Sequence, residues 1–424
     1  MWRVECGVID SRAQYVASDK RTGSRKGIER GEMISSSTTI HAMRHTPRAT
    51  QKKSLSLYIH VPFCLKKCAY CDFASFPNRE GEWGRYFETL WAELADWKER
   101  LSGREAATVF FGGGTPTLVP AGYIAETLGR ARSVVPFAAD AEITLEGNPG
   151  TLTPEKLAIY RKAGVNRLSL GAQSFDDGLL RSLGRIHTAA QIREAVAMAR
   201  DAGFSNINLD LMYALPDQTM ARWSDTLDAA AALNVPHLSA YSLIVEDGTP
   251  MAARVESGAA VVPDDETVNA MQREAIKRLS KAGYVRYEIS NYARPGHECR
   301  HNLVYWNRGD YLGLGCAAHS LLDGARFSNP ASLDTYLAGV REQDRQVLTP
   351  ADAMEETLML ATRTARGLDL AAWRAAFGPF GREAALERLK RGGFVEISHG
   401  FLRLTLRGME VQDAVVLELL EAEE

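Results

Sequence analysis

The sequence predicts an α/β protein: a partial, TIM-like (β/α)6 barrel followed by a C-terminal winged-helix-like α+β domain. Three observations carry this. Short β-rich apolar runs alternate six times with longer helical patterns, each run ends in polar or glycine-rich residues, and from about residue 349 the texture changes to helices around one β pair.

The strand candidates are LSLYIHV (55–61), ATVFFGG (107–113), EITLEGN (142–148), RLSLGAQ (167–173), INLDLMY (207–213) and HLSAYSL (237–243). Helical patterns lie between them, from Trp83 to Leu101, Ala121 to Val134, Pro154 to Ala163, Ala189 to Ala202 and Met220 to Leu233. Such β-α units build a parallel sheet with right-handed crossovers. The strand ends read GGGT, EGNP, GAQS and LDLMYALP, and in a parallel barrel those ends form the functional rim. A doubly wound open sheet satisfies the same alternation.

Composition excludes several classes. Lysine and arginine total 50 against 53 acidic residues, so no excess of positive charge recruits nucleic acid or an anionic membrane. No apolar run is long enough to span a bilayer. The six cysteines (Cys6, Cys64, Cys68, Cys71, Cys299, Cys316) are too sparse for a disulfide frame, which points to a reducing cytoplasm. Residues 1–53 are rich in Ser, Thr, Arg and Lys without apolar periodicity and read as a disordered extension, too acidic for a transit peptide; a start at Met33 or Met43 is the plainer alternative.

Three thiols, Cys64, Cys68 and Cys71, sit in the loop after the first strand, within LYIHVPFCLKKCAYCDF. A structural zinc site needs four ligands, and here the fourth would be His60 or Asp72. A cubane iron-sulfur cluster on three thiolates instead leaves one iron open to an outside ligand. The spacing of three residues and then two, directly after the first strand of a β-α array, resembles that of radical S-adenosylmethionine (SAM) enzymes. The resemblance implies a [4Fe-4S] cluster whose open iron is chelated by the amino and carboxylate groups of SAM, and reductive cleavage of SAM to a 5'-deoxyadenosyl radical.

Other strand ends suit such a ligand. GGGTP, from Gly112 to Pro116, lacks side chains where backbone would approach the methionine moiety, although a tight βα turn explains the same glycines. Glu146, Gln173 and Asp210 stand near strand ends, where they can hold ribose hydroxyls or the ammonium group, and Arg185 can pair with the carboxylate. Taken singly each is an ordinary capping or surface residue; their recurrence at successive strand ends is the argument.

LYIHVPFC, FFGGGTPT, LEGNPGT, SLGAQSFDDGLLRSLGRIH, NLDLMYALPDQT and YEISNYARPG together resemble the oxygen-independent coproporphyrinogen oxidase group and its paralogue, the HemW haem chaperones, from residue 55 to about 420. Matching by motif implies a SAM site of Tyr58, Tyr70, Gly113, Gly114, Thr115, Glu146, Gln173, Arg185 and Asp210, with Cys64, Cys68 and Cys71 as cluster ligands. The oxidases carry a further cysteine two positions after the third; here that position is Phe73, which argues against oxidase activity. HNLVYW, from His301 to Trp306, resembles the HNxxYW motif through which HemW proteins are thought to hold haem. On that resemblance His301 is the axial ligand, Tyr305 and Trp306 offer flat faces to the porphyrin, and Asn302 orients the ring or a propionate. Cys299, Cys316 and His319 compete for a second axial or pocket role, Cys316 reading better as a small buried residue.

The implied function is to bind haem and deliver it to haem-requiring apoproteins, with membrane respiratory proteins among the candidates and a homodimer as an alternative to a monomer. The rival is a radical SAM decarboxylation of coproporphyrinogen III to protoporphyrinogen IX. The expected divisions are the extension over 1–53, the barrel over 54–290, a haem-motif connection over 291–348 and the C-terminal domain over 349–424. That last segment has 9 basic and 13 acidic residues, so its winged-helix texture is not taken as nucleic-acid binding, and family analogy makes it a lid or interaction module near the barrel mouth.

Overall fold

The computed structural model describes residues 52–421 and a two-stranded pair at Val4–Glu5 and Val8–Ile9. The extension expected over 1–53 otherwise lies outside the described residues. The chain then builds β1 (Lys53–Val61), α1 (Trp83–Asp96), β2 (Arg104–Gly113), α2 (Ala121–Val134), β3 (Phe137–Gly147), α3 (Pro154–Ala163), β4 (Arg167–Gln173), α4 (Asp177–Ser182), α5 (Ala189–Asp201), β5 (Asn206–Tyr213), α6 (Met220–Ala232) and β6 (His237–Ser242).

The six strands are parallel and lie side by side in chain order. A doubly wound sheet reverses its strand order at a switch point, and this one does not. Right-handed crossovers without a reversal put every helix on the same face, so the sheet curves around an interior as a partial barrel that stays open among the described residues. Alternate strand positions divide the two faces. Leu57, Ile59, Val109, Phe111, Leu168, Leu170, Leu209 and Leu211 join the helices in the main apolar core, and the residues between them, such as Thr108, Phe110, Arg167, Ser169, Asn208 and Asp210, turn inward.

After α7 (Pro250–Glu256) and α8 (Asp265–Lys281), the short strands β7 (Val285–Arg286) and β8 (Asn291–Ala293) add to the β6 edge antiparallel. The chain then passes through α9 (Arg300–Trp306) and re-enters the sheet at the opposite side, where β9 (Tyr311–Leu314) pairs parallel with β1. The segment carrying α9 therefore runs across the barrel from one edge to the other. β10 (His319–Leu322), β11 (Ala325–Ser328) and, after α10 (Leu333–Leu337), β12 (Gln343–Val347) complete a sheet of twelve strands. The sequence reading assigned no strands to 311–347, because runs of four or five residues give too few alternations to detect and QDRQV is wholly exposed.

The C-terminal unit contains α11 (Pro350–Ala361), β13 (Leu368–Asp369), α12 (Leu370–Phe377), α13 (Glu383–Arg391), the hairpin β14 (Val395–Ser398) and β15 (Phe401–Leu404), α14 (Leu406–Glu410) and α15 (Gln412–Glu421). It has its own core around Trp373, Leu386, Leu402 and Leu419. A smaller cluster of Trp306 with Met359, Leu360 and Val416 packs it onto α9.

One carboxylate fastens the added strands to the barrel. Glu93 on α1 accepts from Gly315 N (3.0 Å), Asn329 Nδ2 (2.5 Å) and the Tyr336 hydroxyl (2.6 Å), while burial pushes its carboxyl pKa up. Glu93→Ala leaves Gly315 N and the Tyr336 hydroxyl without an acceptor and takes one of two from Asn329 Nδ2, so urea unfolding should report a loss of about 3 kcal/mol.

Candidate functional site

The cysteine loop is pinned at its base. Gly114 N and Thr115 N donate to the carbonyls of Val61 and Phe63 (2.9 and 2.8 Å), and Ala69 N donates to Leu183 O (3.0 Å). His60 Nε2 donates to the carbonyl of Ala74 (2.9 Å), past the third cysteine, and its Nδ1 accepts from the Tyr58 hydroxyl (2.9 Å). Both nitrogens of His60 are thus committed to the scaffold rather than to a metal. The glycines of GGGTP have a packing reason as well. A Cβ on Gly113, whose φ is +109°, would stand 2.5 Å from the His60 ring, and one on Gly114 would stand 2.7 Å from Phe63 O. Gly114→Ala should displace the cysteine loop, costing about 1–3 kcal/mol in thermal or urea unfolding and lowering the iron bound per chain after reconstitution.

Above this loop lies a cavity of about 630 Å³, in the size range of small-molecule sites. Cys64, Cys68, Cys71, Tyr70, Gly113, Gly114, Thr115, Glu146, Gln173, Arg185 and Asp210 all line it. Phe73, where the oxidases carry cysteine, lines it too. Cys64 Sγ lies 3.6 Å from Thr115 Oγ1 and Cys68 Sγ lies 3.5 Å from Arg185 Nη1. Burial raises the pKa of Cys64 and pushes Cys71 up to about 11. The three thiols stand on one loop at the cavity wall, where they can take three corners of a cubane cluster and leave the fourth iron open to a ligand.

The polar residues of the wall are arranged for a ligand. Arg185 Nη2 donates to Gly171 O (2.7 Å), leaving its buried Nε without a partner. Glu146 Oε2 accepts from Gly113 N (3.3 Å). Gln173, at a φ of +59°, donates weakly to the Tyr241 hydroxyl (3.4 Å), and its buried Oε1 has no partner. Asp210 accepts from Asn208 Nδ2 (2.7 Å) and Ser169 Oγ (3.3 Å), with its carboxyl pKa raised by burial. Tyr58 stands apart from the others. It is 2% exposed, does not line the cavity, and supports His60 from inside the barrel.

HNLVYW forms α9, and its residues divide. Asn302, Tyr305 and Trp306 line the same cavity as the cysteines. His301 does not: it is 1% exposed, stacked on Phe110 with centroids 4.9 Å apart, and hydrogen-bonded at both nitrogens. Thr108 donates its proton to Ser56 (2.7 Å), so Thr108 Oγ1 accepts from His301 Nδ1 (2.7 Å), and Nε2 accepts from the Tyr305 hydroxyl (2.7 Å). Burial lowers the His301 pKa to about 3, and nearby Arg167 adds to the effect. The alternative ligands are also committed elsewhere. Cys299 is buried with its thiol toward Glu142 Oε1 (3.6 Å), and Cys316 directs its thiol to Pro330 O (3.3 Å), each with a pKa pushed up to about 12 by burial. His319, on β10, does not line the cavity.

Residues 58–230 match the family model of the Radical SAM superfamily, and residues 348–411 match the HemN C-terminal domain. The chain is 44% identical over 266 residues to the Heme chaperone HemW of Escherichia coli, covering 62% of this chain and 69% of that one. It is 39% identical over 377 residues to the Heme chaperone HemW of Mycobacterium tuberculosis, covering 86% and 94%. The chain belongs to the HemW family. Its fold is similar to that of the coproporphyrinogen III oxidase HemN of Escherichia coli, a radical SAM enzyme, with a TM-score of 0.78 at 24% identity over 88% of this chain and 91% of that one.

For a HemW-family chain, the sequence reading passed over several residues of the wall. Arg167 is buried on the cavity floor, and it shares the inward parity of RLSLGAQ with Gln173, a signal that was present. Arg363 and the stretch Met409–Ala414 reach the cavity from the C-terminal domain, and no local motif announced them.

Four histidines, His60, His187, His237 and His301, are buried neutral, with pKa values depressed from 6.5 to about 4, about 4, well below 6.5, and about 3, in each case chiefly by burial. The unfolded chain takes up protons on them that the folded chain refuses. Their contribution is therefore complete above pH 6.5 and declines as pH falls toward about 4, by up to about 1.4 kcal/mol per pH unit for each ring. The urea midpoint should drop steeply between about pH 6.5 and about pH 4, and less so in His187→Asn.

Proposed function

We propose that this chain binds haem in the cavity and passes it to haem-requiring apoproteins, with Cys64, Cys68 and Cys71 holding a [4Fe-4S] cluster and SAM lying beside it. One observation supports this most: Asn302, Tyr305 and Trp306 of HNLVYW share a cavity with the cysteine loop. When bound, the cluster supplies an open coordination position for SAM and an electron for its cleavage. The residues of the chain do the positioning. Arg185 meets the SAM carboxylate with its unpaired Nε, Gln173 offers its free Oε1 to a ligand donor, and Glu146 and Asp210 take ammonium or hydroxyl groups. Cluster loading must remove protons from Cys64 and Cys71, so it is favoured at alkaline pH.

His301 has the protonation a haem ligand needs. Its Nδ1 proton goes to Thr108, and the Nε2 lone pair is left for the Tyr305 hydroxyl. Tyr305 lies on the cavity wall, so displacing its hydroxyl would free Nε2 for an iron. A ligand shared between a metal and a hydroxyl is readily exchanged, as a carrier requires. Reducing conditions in the cytoplasm keep the thiols available, and respiratory membrane haem proteins are the recipients proposed.

Haem titrated into the purified protein should give a saturable Soret shift that His301→Ala abolishes. Tyr305→Phe removes a competing hydrogen bond worth about 1 kcal/mol and should tighten binding about fivefold. Equal binding by His301→Ala would overturn the ligand assignment, and no binding by the wild type would overturn the haem reading.

A further inference from the structure

The cavity extends to where the C-terminal domain meets the barrel. Its walls there are Trp306 from α9, Asn291 from β8, and Arg363 and Gln412 from the C-terminal domain. All four face the cavity yet are less than a tenth exposed, at 5%, 8%, 5% and 6% in that order. Trp306 Nε1, Asn291 Oδ1 and both polar atoms of the Gln412 amide are buried without a hydrogen-bond partner. Each such atom costs about 1–3 kcal/mol, and folded proteins seldom tolerate a cluster of them. Their position on a cavity wall gives the cost a purpose, since a ligand can supply what the fold leaves unmade.

The donor types identify the ligand's chemistry. An indole N–H only donates, so its partner must be an acceptor. The Gln412 amide offers a further donor in either orientation. Arg363 adds a buried guanidinium, whose Nη1 donates to Met359 O (2.9 Å) and whose Nη2 donates to Asp413 Oδ1 (3.0 Å). Asp413 is itself 54% exposed, so among the described residues this buried cation is balanced by a solvated carboxylate. The acids nearby are occupied: Glu410 pairs with Arg273, and Glu288 accepts from Ser290 N and Asn291 Nδ2. Around these polar groups the lining is flat or apolar, with Tyr305, Ile289 and Val411.

We infer that this end of the cavity is a carboxylate-binding subsite, in which Arg363, the Trp306 indole N–H and the Gln412 amide hold a carboxylate group of a flat, largely apolar ligand. Resting on the haem reading above, the group bound there is a propionate. The C-terminal domain then supplies part of the binding site itself, and a bound ligand ties it to the barrel.

The test compares haem with haem dimethyl ester, whose propionates are masked, by Soret titration of the full-length wild type, Arg363→Gln and Gln412→Leu. The wild type should prefer the free acid by about tenfold, as expected for a charge-assisted hydrogen bond. Both variants should lose most of the preference for the acid. Gln412→Leu breaks no existing hydrogen bond, so the melting temperature of its ligand-free form should not fall. A preference kept in both variants, or absent from the wild type, overturns the subsite while leaving haem binding in place. A wild type that binds neither compound overturns the subsite together with the haem reading. A lower melting temperature for ligand-free Gln412→Leu shows that the amide serves the fold and removes Gln412 from the site.

Discussion

Glu142 sits inside the barrel and takes hold of the chain as it crosses. Its carboxylate accepts from Arg300 N (3.1 Å) and His301 N (3.0 Å), the first turn of α9, and from the Cys299 thiol (3.6 Å). A negative group at a helix start satisfies donors that would otherwise be orphaned and complements the helix dipole. From that anchor the rest follows. α9 is held across the interior, His301 packs against β2, and Asn302, Tyr305 and Trp306 are left facing the cavity. β9 is delivered to the free edge of β1, and Trp306 becomes the surface on which the C-terminal domain docks.

The interior of the barrel is polar, and its charges are tightly managed. Arg167 lies among Glu142, Asp210, Tyr287 and Cys299. Asn208 links Ser169, Asp210, Ser239 and His237 in one network. Such networks are costly when partly satisfied and rigid when complete. In this molecule the network is complete around Asn208, whereas Arg167, Arg185 and Gln173, on the same cavity wall, each keep an unpartnered atom. One wall thus carries both a rigid, satisfied network and residues with unmet bonding capacity, the combination a binding site requires.

The parts of the structure legible in the sequence were those governed by local rules. α2 and α3 run over the residues expected, and α3 is fixed by the Thr153 cap, Pro154 in its first turn and Gly164 at a φ of +102°. The six parallel strands were visible because each is long enough to alternate, and the cysteine loop because its spacing has few other uses. What escaped depended on tertiary placement. The letters of HNLVYW do not say that His301 turns into the barrel while Tyr305 turns to the cavity, since that division is set by Glu142 and Thr108, far earlier in the chain. Arg363 and Gln412 reach the same space from separate helical regions, a juxtaposition that only docking of the second domain creates.

The twelve-stranded sheet ends at β12, and a strand at such a border normally offers a template for other chains. This one is poorly suited to the purpose. Its residues Gln343–Val347 are all exposed and carry both signs of charge, Asp344 adopts a φ of +53°, and the pairing with β11 slips in register between Arg326 and Ser328. Side chains, backbone kink and broken register all discourage a further strand from joining. Growth of so long a sheet in that direction is consequently blocked by the same short segment that looked like loop in the sequence.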